Sequence, residues 1–299
     1  MTARPSQPYA LGLACVALAL CLSACAAARN PEAGRPRGNE APYPVVLGAS
    51  EERRAQSLAT WSLLARTAGA TNPPAPELRP ITATLDALPD ALNVPLRLPQ
   101  VGGDETAEPS EEEQRESLRR FIASAAPLLG VVKTEVSLVE RVDLPNGTRR
   151  ALYRQNPFDL PLRGGYGDIE ILYTPDRRII SLRSTAIPDT ERLRRALTTA
   201  RQQQVVLTPD KATPPLAGRL VNFTDAAGRA QSYTITASDQ LTARELVVYP
   251  VRPETDPNSL ELRLAWEVAV GRAGSPLVVY VDAVRGEPLG ASAPVASQP

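Results

Sequence analysis

At 299 residues the chain has room for about two domains of ~100–200 residues each, and its 43% hydrophobic and 22% charged content is that of a globular protein. Thirty-three basic and 33 acidic residues cancel, which excludes the concentrated positive field that nucleic-acid binding needs. The sequence contains no histidine, so the commonest general base, metal ligand and neutral-pH switch is absent, and zinc peptidase motifs and Ser-His or Cys-His nucleophiles are excluded with it.

Met1 to Ala24 opens with Arg4 and continues through an apolar run from Tyr9 to Leu22 into small residues. That run is shorter than the ~20 residues that span a bilayer, and it reads as a signal peptide over residues 1–24. Leu22-Ser23-Ala24-Cys25 resembles the lipobox of bacterial lipoproteins. The resemblance implies lipid attachment, palmitate included, at Cys25, and a place in the cell envelope on the periplasmic side of the outer membrane or at the cell surface. Ordinary signal peptidase cleavage nearby is the alternative. Cys15 and Cys21 leave with the signal, so the mature chain keeps Cys25 alone and has no internal disulfide. Residues 25–49 read as a flexible tether, because Ala26 to Pro44 is rich in Pro, Gly, Ala, Arg and Asn and has no periodicity.

Ser50 is a helix N-cap followed by Glu51 and Glu52, and the spacing of Leu58, Trp61 and Ala65 predicts a helix from Glu51 to Ala68. Ile81, Ala83 and Leu85, then Val94, Leu96 and Leu98, alternate around Leu88-Pro89-Asp90 and predict a short hairpin. Ser110 and Glu113 form a capping box ahead of Leu118, Phe121, Ile122 and Ala125 at helical spacing, with Arg115, Arg119 and Arg120 on a solvated face. Val136 to Leu144 and Arg149 to Gln155 flank Asn146-Gly147, a hairpin signal; Asp168 to Thr174 and Ile179 to Thr185 flank a second turn. From Asp189 or Thr190 the plan of helix and then meander restarts, with Leu193, Ala196, Leu197 and Ala200 as its helical stripe. Strands follow at Gly218 to Thr224, Gln231 to Thr236 and Glu245 to Val251, and then in the alternation of Leu262, Leu264, Trp266, Val268 and Val270, which places Trp266 in the buried face. A last apolar run, Leu277 to Val281, enters Asp282-Ala283-Val284-Arg285-Gly286-Glu287.

The Ala265-Trp266-Glu267-Val268 strand with its Val-Asp-Ala-x-x-Gly-Glu sequel resembles the PepSY repeat of thermolysin-like protease propeptides. Gln155, Leu160-Pro161-Leu162 and the Asp176 turn resemble the fungalysin/thermolysin propeptide module, with Arg177 where that module has glycine. The resemblance runs from Ser110 to Leu289 and includes no peptidase domain. It implies an α+β fold of two successive helix-on-antiparallel-sheet units, cystatin-like or PepSY-like, at 101–188 and 189–290. A small helix-hairpin subdomain at 50–100 precedes them and a disordered tail at 291–299 follows.

Chemistry finds little support in these residues. Gly164-Gly165-Tyr166-Gly167 leads into a strand, so it is a turn and no phosphate loop; Asp256-Pro257-Asn258 lacks the glycine and ligands of a calcium loop. Glu261, Glu267, Asp282 and Glu287 are candidates for a carboxylate pair of the glycosidase kind, against the simpler reading of charges on the solvent face of a meander. The sequence therefore points to a non-catalytic envelope lipoprotein without cofactor or metal. Its expected partner is a protein, a thermolysin-type metallopeptidase in the resemblance, which it would inhibit or chaperone; a scaffold lipoprotein and a carboxylate-based hydrolase are the rivals. Acyl chains contribute ~0.8 kcal/mol per buried methylene, so Cys25→Ser is expected to release the protein from membranes or stall it with its signal attached. Fractionation checks this: a processed variant still wholly in the membrane fraction would overturn the lipoprotein reading.

Overall fold

The computed structural model describes residues 42–102, 110–225, 228–271 and 277–293, and Cys25 with the signal peptide lies outside them. The fold is mixed α+β, its sheets antiparallel and its helices few. The first element, β1 (Val45–Gly48), falls in the stretch assigned above to the tether. Val45 and Leu47 are buried; the tether boundary at 49 runs past the composition that supports it, which ends at Pro44, over an apolar, β-branched Val-Val-Leu that suits a strand.

Helix α1 (Glu51–Thr67) is capped by Ser50, whose Oγ accepts the Arg53 amide at 3.3 Å, and Glu51 and Glu52 lie where the helix dipole favours anions. It buries Ser57, Trp61 and Ala65, and the Trp61 indole donates to the Pro74 carbonyl at 2.8 Å. The expected hairpin over Ile81–Leu98 does not form. Instead β2 (Glu77–Leu78) pairs with β3 (Leu85–Ala87), while the Leu98 amide donates to Arg177 and the Ile179 amide to Leu96. Pro89, Pro95 and Pro99 remove ladder donors, so the stretch after β3 meets its neighbour in the single Arg97–Arg178 bridge.

Helix α2 (Glu111–Ser124) carries the capping box: the Glu113 amide donates to Ser110 Oγ at 3.3 Å, and the Ser110 amide to Glu113 Oε2 at 2.8 Å. A short helix α3 (Ala126–Leu129) stops at Gly130, where φ is 70° and a Cβ would lie 2.4 Å from the Thr84 methyl. Strands β4 (Val136–Asp143), β5 (Arg149–Gln155), β6 (Asp168–Tyr173) and β7 (Ile179–Ser184) then form a meander in that order. Ala151, Tyr153, Ile169, Ile171 and Leu182 pack against Trp61, Phe121, Ile122 and Leu128 in a first core. The other face carries cross-strand ion pairs, Arg154–Asp168 at 3.1 Å, Arg183–Glu170 at 2.5 Å and Arg150–Glu140.

Helix α4 (Thr190–Gln203) buries Leu193, Leu197 and Ala200 in a second core. After α5 (Pro209–Ala212), β8 (Leu220–Thr224) and β9 (Ala230–Thr234) pair only with each other among the described residues, so the second sheet is not the simple continuation of helix and meander that the sequence repeats. That sheet is built on β11 (Ser259–Gly271), flanked by β10 (Gln240–Val251) on one edge. On the other edge β1 pairs with Ser259 to Leu262, and β12 (Leu277–Asp282) with Ala265 to Val270. Strand β13 (Pro288–Ser292) adds outside β12, taking Ala291 and Ser292 from the expected tail. The N-terminal segment is thus no separate subdomain: α1 joins the first core and β1 the second sheet.

The crossover between β5 and β6 ties the two sheets together. The Arg163 amide donates to Val248 at 3.0 Å and the Val248 amide to Pro161 at 2.8 Å, while Phe158, Leu160 and Leu162 pack in the second core. Gln155 is 1% exposed; its Nε2 donates to the Ile187 carbonyl at 3.0 Å and its Oε1 accepts the Ile187 amide at 2.9 Å. One side chain thus supplies the pairing of a strand residue to the connector before α4. Gln155→Leu would orphan both Ile187 groups, at about 1–3 kcal/mol each. The expected result is a lower urea midpoint with unchanged m; an unshifted midpoint would show that water replaces the amide.

Candidate functional site

A buried polar cluster lies where the edge of β11 passes from β1 to β12. At that seam the Leu264 amide donates to the Tyr43 hydroxyl at 3.0 Å, and the hydroxyl donates toward Asp282 Oδ1 at 3.1 Å, with the Leu264 carbonyl at 3.3 Å. Asp282 has no exposed surface. Its Oδ1 also accepts the amides of Val284 at 2.8 Å and Arg285 at 2.9 Å, and its Oδ2 accepts Arg263 Nη1 at 3.0 Å. Arg263 in turn holds Glu261 Oε2 at 2.5 Å. The Asp-Ala-x-x-Gly-Glu turn is therefore an Asx turn whose carboxylate is neutralised by a strand arginine.

Glu267, on the same strand, is 8% exposed and accepts Arg163 Nε at 3.1 Å, while Arg163 Nη2 reaches Glu245 at 2.5 Å and Arg244 lies 3.8 Å from Glu267. The polar face expected for Glu261, Arg263, Ala265, Glu267 and Ala269 is thus partly covered, by the crossover arginine and by Tyr249 and Tyr280, whose rings stack with centroids 4.5 Å apart. Gly164 belongs to this cover, because a Cβ there would stand 3.2 Å from the Tyr249 ring. Trp266 departs from the expectation in the other direction. It is half-buried, lying between two clusters, and its indole donates to the Leu207 carbonyl at 2.8 Å.

The four carboxylates named as a catalytic pair do not converge on a free site. Glu261 and Asp282 share Arg263, Glu267 lies on Arg163, and Glu287 is exposed with its carbonyl accepting the Asp282 amide. Arg115, Arg119 and Arg120 pair within their own helix to Glu111 and Glu116, and the two guanidinium hydrogen bonds pull the Glu116 carboxyl down to about 2. Asp256 closes a turn by accepting the Asn258 amide at 3.1 Å. No group of three metal-ligating side chains occurs among the described residues.

Surfaces open to a partner lie elsewhere. Strand β4 pairs with β5 alone among the described residues. Its Val139 is left out of register between Leu138 and Glu140 and stands half exposed. A cleft of about 620 Å³ opens between α1, α3 and the start of α4, lined by Arg53, Pro127, Val131, Asp189, Arg192 and Arg195. A smaller one of about 260 Å³ lies between α4, the crossover and β10–β11. The sequence named none of Tyr43, Arg163, Arg53 or these clefts. Each depends on pairing between segments far apart in the chain, such as the 221 residues that separate Tyr43 from Leu264.

No protein family's sequence profile matches the chain, and no curated protein matches it. Among solved structures, the Bacillus megaterium YpeB C-terminal domain is similar at 7% identity with a TM-score of 0.25, over 64% of this chain and 67% of that one.

The seam makes a pH prediction. Burial first, and then the Asp282 carboxylate, push the Tyr43 phenol well above the usual tyrosine range, and burial pushes Tyr153 up to about 12. An unfolded tyrosine ionises near ~10, so the stabilisation is complete below that pH and is lost as pH rises above it, where the unfolded chain ionises first. Tyr43→Phe is expected to cost about 1–2 kcal/mol at neutral pH and to flatten the loss of stability above pH ~10. Denaturant midpoints across that range test it; parallel curves for both proteins would contradict a buried phenol.

Proposed function

We propose that the chain is a non-catalytic envelope lipoprotein, anchored through Cys25, that binds a protein partner as the propeptide and PepSY units it resembles do. Its two helix-bearing sheets would be the counterparts of those units, and a thermolysin-type metallopeptidase the partner, inhibited or chaperoned. The observation that carries this reading is the open edge of β4: eight residues long, paired on one side only among the described residues, and bearing half-exposed Val139. Such an edge accepts an extended segment, with backbone hydrogen bonds giving affinity and alternate side chains giving selectivity. The bulge at Val139 adds twist, which disfavours indiscriminate edge pairing. Engagement of Glu261, Glu267 and Asp282 by arginines supports binding over catalysis.

The test mixes purified residues 26–299 with thermolysin-type peptidases from the same organism and follows turnover and complex formation. Saturable inhibition or a discrete complex is expected, burying on the order of 1,200–2,000 Å². Val139→Lys, which places a charge on the edge without disturbing the β4–β5 register, is expected to weaken it at least about tenfold. Rapid digestion with unchanged peptidase activity would overturn the peptidase reading and put the scaffold alternative in front.

A further inference from the structure

Helix α4 presents a second stripe beside its buried one. Arg194, Leu197, Thr198 and Arg201 recur at i, i+3, i+4 and i+7, and they form one wall of the 260 Å³ cleft. Phe158 and Leu160 of the crossover form the facing wall, and Val248 and Leu264 the floor. Those two floor residues have no exposed surface and Leu197 is 5% exposed, so the cleft opens onto the second core.

The two arginines at its mouth differ. Arg194 is spent: Nε donates to the Pro157 carbonyl at 2.7 Å, Nη1 to Glu191 at 3.2 Å and Nη2 to Glu135 at 2.5 Å. Arg192 and Arg195, on the same helix, are paired with Asp189 and Glu191. Arg201 is exposed and has no ion-pair or hydrogen-bond partner among the described residues. Asp159 supplies one acceptor at the rim, and Thr198 and Gln202 add neutral polar groups. At about 260 Å³ the cleft falls below the ~300–1,000 Å³ of pockets for drug-sized ligands. It suits one large apolar side chain, with an anion held at the arginine end.

We propose that this cleft receives the apolar last residue of a polypeptide. The side chain fills the space above Val248 and Leu264, the terminal carboxylate lies on Arg201, and the residue's amide N–H faces Asp159. Guanidinium and carboxylate make a charge-assisted, bidentate pair, and an apolar anchor seated in a preformed pocket is the form a dominant contact takes in protein recognition. The proposal rests on the reading of the chain as a protein binder and names the part of the partner that this cleft would hold.

The experiment uses the full chain with ¹³C-labelled methyl groups and titrates N-acetyl-leucine, N-acetyl-leucinamide, free leucine and decanoate. N-acetyl-leucine is expected to shift the methyl signals of Leu160, Leu197, Val248 and Leu264 with saturation in the low-millimolar range, at least about tenfold more tightly than its amide. Arg201→Gln should erase the preference for acid over amide while leaving the other methyl signals in place, and Thr198→Trp should abolish the shifts by filling the cleft. Absence of shifts, equal binding of acid and amide, or tighter binding of leucine or decanoate would each overturn the proposal. If the probes fail while a complex with a peptidase still forms, the cleft is excluded and the protein-binding reading stands.

Discussion

One edge of β11 serves two strands in series, and the rest of the structure depends on how the seam between them is sealed. Between the first residue of β1 and the last residue of β12 the ladder cannot continue, and unsatisfied backbone groups inside a sheet cost about 1–3 kcal/mol each. The Tyr43 hydroxyl takes the Leu264 amide and the Ala283 amide takes the Leu264 carbonyl. Asp282, fully buried there, is held by Arg263, two backbone amides and Tyr43. Breaking a buried pair of this kind from one side leaves a stranded charge, at about 3–5 kcal/mol. Residues near both ends of the described chain are therefore needed for the sheet to close.

A second constraint couples the sheets. The crossover from β5 contributes a backbone pair to β10 through Pro161, Arg163 and Val248, and Gln155 fixes the connector at Ile187. Arg163 extends the tie by reaching Glu245 and Glu267 on two strands of the second sheet, and Arg194 returns it by reaching Glu135 from α4. These contacts run in both directions, so the smaller cleft beside the crossover has walls drawn from the crossover, α4 and the second sheet. A ligand in the smaller cleft would touch the crossover and α4 together.

What the sequence displayed was local. The Ser110–Glu113 capping box, the Asn146-Gly147 hairpin, the turn between β6 and β7 and the apolar stripe of α4 each follow from spacing over a short stretch of chain, and the structure contains them. Failures came where a distant partner decides. Val45–Gly48 is too short a β-prone run to declare a strand without its partner β11, and the stretch around Leu96 found its neighbour at Arg178. On β11 the alternation located the apolar face but could not show that Arg163 and two tyrosines cover part of the other, burying Ala265 and Glu267 while leaving Trp266 half-buried. Cys25 was legible as a motif alone, and the candidate cleft was invisible because its four segments meet only in the folded chain.

The arginines carry a final point about chemistry without histidine. Among 33 basic residues only Lys133 and Lys211 are lysines, and the buried carboxylates at the seam and on β11 are held by guanidinium forks that favour fixed, bidentate geometry. A carboxylate so engaged must surrender its arginine before it can accept a proton from substrate, leaving that cation under-satisfied in a partly buried site. Catalysis by two carboxylates needs both free across a gap of ~5–9.5 Å, whereas Glu261 and Asp282 share one arginine and Glu267 holds another. Arg263 therefore ties β11 to β12 through Asp282, and Arg163 ties it to the crossover through Glu267, so the charge pattern along β11 has a structural use.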